Sequence, residues 1–334
     1  MIHEPACAVC GGRQFEILGR RTYTKDRSTA SNAYVAARMR VLFQVWMPEA
    51  DEAVFASLLC RSCGFIAFSP RPSESDLIAK YEFLAHDETA RHETNIALAS
   101  DRERGRQLFD YIRMHVGETA CSLLDYGGGN GRLLGSFLAH GYACSVCDFI
   151  EQSLPGIEHA GRQISDIPAD RTFDLIVCSR VLEHLADPGG VVRGLLAHLN
   201  PNGRLYVEVP LEVWDGAPLP VEPVTHINFF TPGSLRVLAE ESGLEVVECA
   251  EATYLSEEGG RAPAVRLLAR RSSEPLQGAS PRRQQAVTTA LRYVHPRATD
   301  RLLRYVRYPD LRTGMREAFA RRFLPRQFFW RFMG

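Results

Sequence analysis

The chain has 334 residues, of which 45% are hydrophobic and 24% are charged, the balance of an ordinary soluble globular protein. A formal net charge of -1 gives no overall attraction to nucleic acid or to membranes, and no apolar run reaches the roughly 18 residues that span a bilayer. The segment Met1–Gly12 lacks the basic start and apolar core of a secretory signal, so we predict a cytoplasmic protein. A chain of this length is expected to hold about two domains.

Four cysteines near the start form two Cys-x-x-Cys pairs, Cys7 with Cys10 and Cys60 with Cys63, and a glycine follows each pair. In a cytoplasmic chain such cysteines do not indicate disulfides, whereas four thiolates suit a tetrahedral structural zinc ion. We therefore predict a zinc-binding lobe over residues 1–80, and the 49 residues between the pairs form an excursion that is a candidate binding arm. Unrelated buried thiols are the alternative. A redox pair is disfavoured because no βαβ pattern surrounds either pair.

The middle of the chain has the pattern of an α/β sheet. Residues 81–115 are predicted to form a helical connector, and from 116 to 270 short β-rich runs alternate with helical patterns. The last two predicted strands lack a helix between them and are expected to form a hairpin. Cys144 and Cys147 lie three positions apart in one strand, so they point to opposite faces and are predicted to be core. The predicted strands are Ser122–Tyr126, Ala143–Asp148, a short strand near Gln163–Ile164, Phe173–Cys178, Leu205–Val209, Leu244–Cys249 and Val265–Ala269, with helices over Gly131–His140, Val191–His198 and Ser234–Ser242.

The first of these strands runs directly into a glycine-rich loop, Gly127-Gly128-Gly129-Asn130-Gly131. Glycines accept positive φ and leave space for a ligand, and open α/β sheets bind ligands at the carboxyl ends of their strands. The glycines at 127, 129 and 131 recur at every second position, whereas a dinucleotide fingerprint needs G-x-G-x-x-G and a P-loop needs Gly-Lys-Ser/Thr. The spacing therefore disfavours an NAD site, and a P-loop still more. A plain strand-to-helix turn is the remaining alternative.

Three acids lie at positions that suit a nucleoside cofactor. Asp125, two residues before Gly127, is placed to order the loop beneath the amino-acid end of such a cofactor. Asp148 ends the next predicted strand, and the two oxygens of a carboxylate can accept both hydroxyls of a ribose. Asp166 is a candidate acceptor for an adenine amino group. For Asp148 and Asp166 the alternative is an ordinary surface acid.

These segments resemble the motifs of class I S-adenosylmethionine-dependent methyltransferases. Leu123–Leu134, with the sequence LLDYGGGNGRLL, is similar to their first motif, and Phe173–Arg180 is similar to their fourth-strand motif. Val181–Leu185 resembles the segment that follows, and Asn200–Leu205 resembles the turn before the fifth strand. The resemblance implies a Rossmann-like seven-stranded methyltransferase sheet over residues 116–270. The residues that it implies for binding S-adenosylmethionine are Asp125, Gly127, Gly129, Gly131, Asp148, Asp166 and Ser179.

A second resemblance concerns the acceptor. Leu59–Pro72 resembles the zinc-knuckle lead-in of a methyltransferase subgroup that is common in bacterial surface-polysaccharide and deoxysugar pathways and includes sugar C-methyltransferases. It implies a saccharide or nucleotide-sugar acceptor and a zinc ion on Cys7, Cys10, Cys60 and Cys63. Those C-methyltransferases carry a Tyr-His-Glu-His cluster after the fifth strand, whereas this chain has Val224 and Thr225 before its histidine. This departure from the subgroup pattern weakens the prediction of C-methylation, and O-methylation and N-methylation both remain possible reactions.

Methyl transfer requires an aligned acceptor and, for many acceptors, a base that takes its proton. Pro223–Thr231 resembles a histidine-containing segment of the same subgroup, and histidine titrates near neutral pH. His226 is therefore the predicted base and His184 the second candidate. A structural histidine is the alternative for both. Further candidates at these strand ends are Arg180, Glu183, Glu208, Glu212 and Glu222.

The final region, residues 271–334, carries fourteen arginines, no lysine and four acids, a net charge of +10. One interpretation is a surface that binds phosphates of a nucleotide-sugar, an anionic membrane or RNA. The interpretation that we favour is an arginine-rich helical extension that caps the catalytic domain and buries its aromatic side chains there.

Three functions follow from these patterns. The favoured one is a methyltransferase that acts on a sugar or a sugar-linked intermediate. A nucleic-acid methyltransferase that grips RNA with the zinc lobe and the basic tail is disfavoured, because the chain lacks an Asn-Pro-Pro-Tyr-type motif and the first region lacks a marked basic patch. A non-catalytic protein that retains the cofactor fold is disfavoured by the intact glycine loop with Asp125 and Asp148.

Overall fold

The structure, a computed structural model, describes residues 6–29, 32–86, 97–116, 121–213, 216–255, 260–273 and 280–307. Among these residues, no helix combines the length and the apolar character that crossing a membrane requires. The strands are β1 Phe15–Thr24, β2 Glu52–Cys60, β3 Ile66–Ser69, β4 Ser122–Tyr126, β5 Ala143–Cys147, β6 Glu158–Gly161, β7 Phe173–Ser179, β8 Leu199–Pro210, β9 Asn228–Phe229, β10 Leu244–Leu255 and β11 Arg261–Arg271. The helices are α1 Ala33–Val41, α2 Glu74–His86, α3 Ala97–Val116, α4 Gly135–Ala139, α5 Pro188–Ala197, α6 Pro232–Glu241, α7 Arg283–Val294 and α8 Ala298–Arg307.

Seven strands form the larger sheet in the order β10-β11-β8-β7-β4-β5-β6. Strands β4 to β8 run parallel, and β11 lies antiparallel between β8 and β10, which confirms the predicted terminal hairpin. Cys144 and Cys147 are buried in two different hydrophobic clusters, as expected for opposite faces of β5. The predicted Rossmann-like methyltransferase sheet is therefore confirmed.

Strands β8, β10 and β11 extend beyond their predicted bounds, and two further predictions were wrong in place or in type. The short strand lies at Glu158–Gly161 and not near Gln163–Ile164, because Gln163 and Asp166 close a capping box around a 3-10 turn at Ile164–Asp166. The helix predicted over Gly131–His140 is a 3-10 turn followed by the short α4. Gly131 has a φ of 87°, so the chain leaves the loop in a left-handed conformation that cannot begin an α-helix.

The smaller sheet holds the N-terminal lobe and has the order β1-β2-β3-β9, with every pair antiparallel. The excursion between the cysteine pairs supplies β1, α1 and β2. Strand β9 comes from residues 228–229, inside the predicted methyltransferase domain. The two parts of the chain thus share a sheet, and the boundary at residue 80 stays a prediction.

The described part of the tail packs as a helical cap. Helix α7 lies against α6, and Tyr293 is buried with its hydroxyl donating to Glu251. Gly64 of the second cysteine knuckle also contacts α7, since a Cβ built on it would lie 2.5 Å from the carbonyl oxygen of Ala286. The arginines and aromatics of 308–334 lie outside the described residues.

Replacing Gly64 by alanine is expected to lower the melting temperature far more than Gly11→Ala. Both glycines follow a cysteine pair with similar φ, 71° and 69°, so both alanines have a backbone cost of about 1 kcal/mol. Only at Gly64 does the new methyl group meet a helix backbone, because nothing lies within 4 Å of a Cβ at Gly11. Thermal unfolding measures the difference. Equal melting temperatures would contradict the packing of the knuckle on α7.

Candidate active site

The glycine loop turns sharply around the end of β4. Gly127, Gly129 and Gly131 have φ of 71°, 59° and 87°, all in the left-handed region that favours glycine. The amide of Gly127 donates to the carbonyl of Cys147 at 2.9 Å, which fixes the loop to β5. A Cβ at Gly128 would lie 2.2 Å from the carboxylate of Asp125. The loop therefore wraps this acid, as the sequence predicted.

Asp125 lies at the bottom of the loop and is only 1% exposed. Burial raises its pKa to about 7, and the negative charge of Asp148 adds to the effect. Its Oδ2 atom has no hydrogen-bond partner among the described residues. Because buried polar atoms are nearly always hydrogen-bonded, this oxygen is suited to receive a donor from a ligand.

Asp148, at the end of β5, is held in a fixed orientation beside the loop. Its two oxygens accept from the amides of Gly129 and Ile150, each at 2.9 Å. Each carboxylate oxygen has a second lone pair, so the group retains the capacity to bind the two hydroxyls of a ribose. Phe149 and Ile150 next to it are 50% and 52% exposed. Such exposed apolar side chains beside a polar groove suit the flat face of a purine, and the sequence analysis missed both.

The other two predicted cofactor residues have local partners. Asp166 is exposed, and its carboxylate accepts from the amides of Arg162 and Gln163 at 3.0 and 3.1 Å, closing the turn after β6. Ser179 ends β7, and its hydroxyl donates to Glu208 at 3.2 Å. The structure thus places the loop, Asp125 and Asp148 together, whereas Asp166 and Ser179 as cofactor ligands stay predictions.

His226 lies in the segment between β8 and β9 and pairs with a carboxylate. Its Nδ1 atom is 2.8 Å from both oxygens of Glu212. Burial alone would lower the pKa of His226, but the charges of Glu212 and Glu183 raise it above its usual range. With the Nδ1 proton directed at the carboxylate, Nε2 is the basic nitrogen. This is the arrangement that orients a histidine base in many enzymes.

His184 lies beside His226, with ring centroids 4.8 Å apart, but it is held differently. Its Nδ1 atom lies 2.7 Å from the carbonyl oxygen of Thr225 and donates to it. Burial lowers the pKa of His184 well below its usual range, and the positive charge of His226 adds to this. His184 is therefore neutral near pH 7 and fixes the segment that carries its neighbour, a geometry that favours the structural alternative.

Glu183 completes a compact group with the two histidines. One ligand atom from each of Glu183, His184 and His226 lies within 4.8 Å of the others. Glu183 is 1% exposed, and burial raises its pKa to about 7. Within the part of the chain that the structure describes, neither of its carboxylate oxygens has a hydrogen-bond partner. The carboxyl of Glu183 can therefore gain or release a proton near neutral pH, next to the predicted base His226.

A cavity of about 310 Å³ opens beside His226, which is a volume suited to a small molecule. Tyr34 of α1 forms part of its wall, and its hydroxyl lies 2.8 Å from Oγ1 of Thr225. The excursion between the cysteine pairs therefore reaches the site. Lys80 is buried, and its Nζ donates to the carbonyl of Val224 at 3.3 Å, next to the wall residue Thr225. Burial lowers the pKa of Lys80 to about 8. No sequence motif indicated either residue.

The four cysteines of the N-terminal lobe come together in one cluster, and none of them forms a disulfide. The Sγ atoms of Cys7 and Cys63 are 3.6 Å apart, those of Cys10 and Cys60 are 3.7 Å apart, and all four lie within 4.8 Å of one another. A tetrahedron with zinc–sulfur bonds of about 2.3 Å has edges of about 3.8 Å. The donor set and its spacing therefore fit a structural zinc ion.

Residues 81–249, half of the chain, match a protein family described as "Methyltransferase domain". The chain belongs to this methyltransferase family. The matched range includes the glycine loop, Asp125, Asp148, His184 and His226. The predicted methyltransferase family is confirmed, whereas the resemblance to the sugar-methyltransferase subgroup stays a prediction.

The similar proteins cover this methyltransferase only in part. The ubiquinone biosynthesis O-methyltransferase of Xylella fastidiosa (strain M23) is 31% identical over 111 residues, 29% of this chain and 45% of that protein. The chain therefore spans less than half the length of this relative. The protein with the same description from Stutzerimonas stutzeri (strain A1501) is 25% identical over 202 residues, 53% of this chain and 86% of that protein.

Among solved structures, the Burkholderia thailandensis 1,6-didemethyltoxoflavin-N1-methyltransferase, with its bound 1,6-didemethyltoxoflavin and S-adenosylhomocysteine, is similar with a TM-score of 0.50. It is 17% identical, and the similarity covers 65% of this chain and 96% of that one. At this identity the similarity shows the shared fold and nothing about the acceptor.

Glu212→Gln is expected to lower the pKa of His226 by about one unit, because it removes the adjacent negative charge and keeps a hydrogen-bond acceptor. Titration of the histidine side chains by NMR measures the shift. Glu245→Gln is the matched control, since Glu245 pairs with Arg270 on the exposed edge of β10. An unchanged His226 pKa in Glu212→Gln would show that the pair does not set the basicity of the histidine.

Proposed function

We propose that this protein transfers a methyl group from S-adenosylmethionine to an oxygen of a small-molecule acceptor, and that the acceptor is a sugar or a sugar-linked intermediate. The observation that carries the proposal is that two half-sites adjoin at one edge of the larger sheet. A Cβ built on Gly127 of the loop would lie 2.5 Å from Cγ2 of Val181, two residues before Glu183 of the histidine group. The glycine loop with Asp125 and Asp148 forms the cofactor half-site, and the cavity with His226 forms the acceptor half-site. We also propose a structural zinc ion on Cys7, Cys10, Cys60 and Cys63.

The cofactor half-site has the donors and acceptors that S-adenosylmethionine requires. The free Oδ2 atom of Asp125 suits the amino group of the methionine end, and the remaining lone pairs of Asp148 suit the ribose hydroxyls. The side-chain-free surface of the loop leaves room for close approach of the ligand. When bound, S-adenosylmethionine supplies an electrophilic methyl group on a sulfonium.

The acceptor half-site has the groups that a hydroxyl acceptor requires. His226 Nε2 is placed to take the hydroxyl proton, and the Glu212 carboxylate stabilises the imidazolium that results. The ring of His184, which is fixed to the carbonyl of Thr225, packs beside the ring of His226 with centroids 4.8 Å apart. Alignment of the acceptor against the methyl donor supplies the rest of the rate enhancement.

The cavity wall supports a polyhydroxylated acceptor. Glu212 and Thr225 offer hydrogen-bond acceptors and donors, whereas Tyr34 and Phe229 offer aromatic surface, the usual combination for a sugar ring. The relatives named as ubiquinone biosynthesis O-methyltransferases support methyl transfer to oxygen, and a hydroxyl group outside a sugar is the second candidate acceptor. With either kind of acceptor, the oxygen that receives the methyl group would lie beside His226.

Asp148→Ala is expected to weaken binding of S-adenosylhomocysteine at least tenfold, because hydrogen bonds to a charged group contribute about 1.5 kcal/mol or more each. Isothermal calorimetry measures the affinity. Asp170→Ala is the control, since Asp170 is an exposed acid in the turn before β7. Retained affinity in Asp148→Ala would remove this residue from the cofactor site.

His226→Ala is expected to reduce turnover by about 10²-fold or more, the contribution typical of a general base, and to leave S-adenosylhomocysteine affinity intact. The assay follows labelled methyl transfer from S-adenosylmethionine to a panel of nucleotide-sugars and phenols. His295→Ala is the control, because His295 is exposed at the end of α7.

Near-normal turnover of His226→Ala on the best acceptor would reject the base assignment. Labelling of phenols alone would reject the saccharide proposal. If no small molecule of the panel or of a cell extract accepts the methyl group, the proposed activity itself is wrong.

A further inference from the structure

Strand β3, which follows the second cysteine pair, is hydrogen-bonded to the backbone next to His226. Cys60 ends β2, and β3 begins at Ile66, three residues after Cys63. Ile66 and Ala67 pair with Phe229 and Asn228 of β9. Next to this pairing, the amide of Phe68 donates to the carbonyl of Ile227 at 3.1 Å. The backbone that follows His226 is therefore held by the strand that begins at the second cysteine pair.

The same segment holds the second histidine. The amide of Ile227 donates to the carbonyl of Glu183 at 3.0 Å. The side-chain amide of Asn228 donates to the carbonyls of Leu182 and Leu185 at 2.7 and 2.8 Å. Since His184 in turn donates to Thr225, the segments around His184 and His226 are fixed to each other and, through β9, to β3.

Arg71 forms an independent connection. It follows β3 and lies near the thiol of Cys7, with which it lines a small cavity. Its Nε and Nη2 atoms donate to the carbonyl of Ala186 at 3.1 and 2.7 Å, and Nη2 also donates to Leu185 at 3.0 Å. Arg71 thus holds the backbone immediately after His184 from the side of the cysteine cluster.

The cofactor loop is fixed by other elements. Gly127 donates to Cys147 at the end of β5, and Gly129 donates to Asp148. The parallel pairs of β4 with β5 and β7 lie in the larger sheet, which is built without β3. The hydrogen bonds that fix the loop therefore come from strands other than β3, and the loop meets the histidine segments through side-chain packing of Val181 on Gly127.

We propose that the four-cysteine cluster positions His184 and His226, so that its metal ion controls the order of the acceptor half-site and leaves the cofactor half-site intact. Strand β3 and Arg71 transmit this control as positioning elements. The inference rests on the proposed zinc site and on the acceptor side of the proposed function. Its tests use no turnover, so its failure and the failure of the proposed activity can be told apart.

Amide hydrogen exchange on the full chain, zinc-loaded and then stripped with a chelator, tests the proposal. Exchange in peptides covering 180–188 and 222–230 is expected to accelerate at least tenfold after the metal is removed, whereas exchange in 122–131 changes by less than about threefold. Over the same step the affinity for S-adenosylhomocysteine, measured by calorimetry, is expected to change by less than about threefold. The raised pKa of His226, measured by NMR, is expected to fall.

Unchanged exchange in 180–188 and 222–230 after zinc removal would overturn the proposal. Equal acceleration in all three regions would also overturn it, because the cluster would then stabilise the whole fold and not the acceptor half-site. A purified chain that binds no zinc would overturn it as well.

Substitution of Arg71 tests the second connection without touching a cysteine. Arg71→Met is expected to accelerate exchange in 180–188 with zinc content unchanged, and Arg71→Lys is expected to restore part of the protection. Arg20→Met is the matched control, since Arg20 is exposed on β1 of the same lobe and lies outside both cysteine pairs. If Arg71→Met and Arg20→Met behave alike, Arg71 is not a positioning residue.

Discussion

Two backbone pairs, Ile66 with Phe229 and Ala67 with Asn228, join the cysteine lobe to the segment that follows His226. Because β9 is only two residues long, its position depends on the strand beside it and on the Asn228 side chain. The lobe lacks a separate core, since its apolar residues belong to the same cluster as those of β7 and β8. The described residues of the N-terminal region thus share a hydrophobic core with the methyltransferase sheet.

Burial of ionisable groups sets the chemistry of both half-sites. Asp125 and Glu183 are each 1% exposed, and burial raises the pKa of each to about 7. A buried carboxyl without a partner is costly to a folded protein and is found where a ligand or a reaction uses it. One of these acids lies beneath the glycine loop and the other beside His226. The desolvation of these two carboxyl groups is thus found at the two proposed half-sites, for the cofactor and for the acceptor.

The features that could be predicted from the sequence are the local ones. The loop, Asp125 and Asp148 lie within 24 residues of one another, so strand and turn patterns were enough to place them together. The Glu212 partner of His226 was only one of several candidates, because its pairing depends on the path of a long loop. Tyr34 contacts Thr225 from 191 residues away, and Lys80 contacts Val224 from 144 residues away. Such contacts have no local signature. The contacts of Tyr34 and Lys80 were therefore missed, whereas the local arrangement of the glycine loop with Asp125 and Asp148 was predicted.

A crystal structure of the zinc-loaded protein with S-adenosylhomocysteine tests most directly whether the glycine loop holds the cofactor with its sulfur toward the cavity that contains His226. The account predicts the ribose hydroxyls on Asp148, the amino group of the homocysteine end near Asp125, and the sulfur directed toward the cavity that contains His226. A ligand whose ribose contacts other residues, or whose sulfur points away from that cavity, would contradict it.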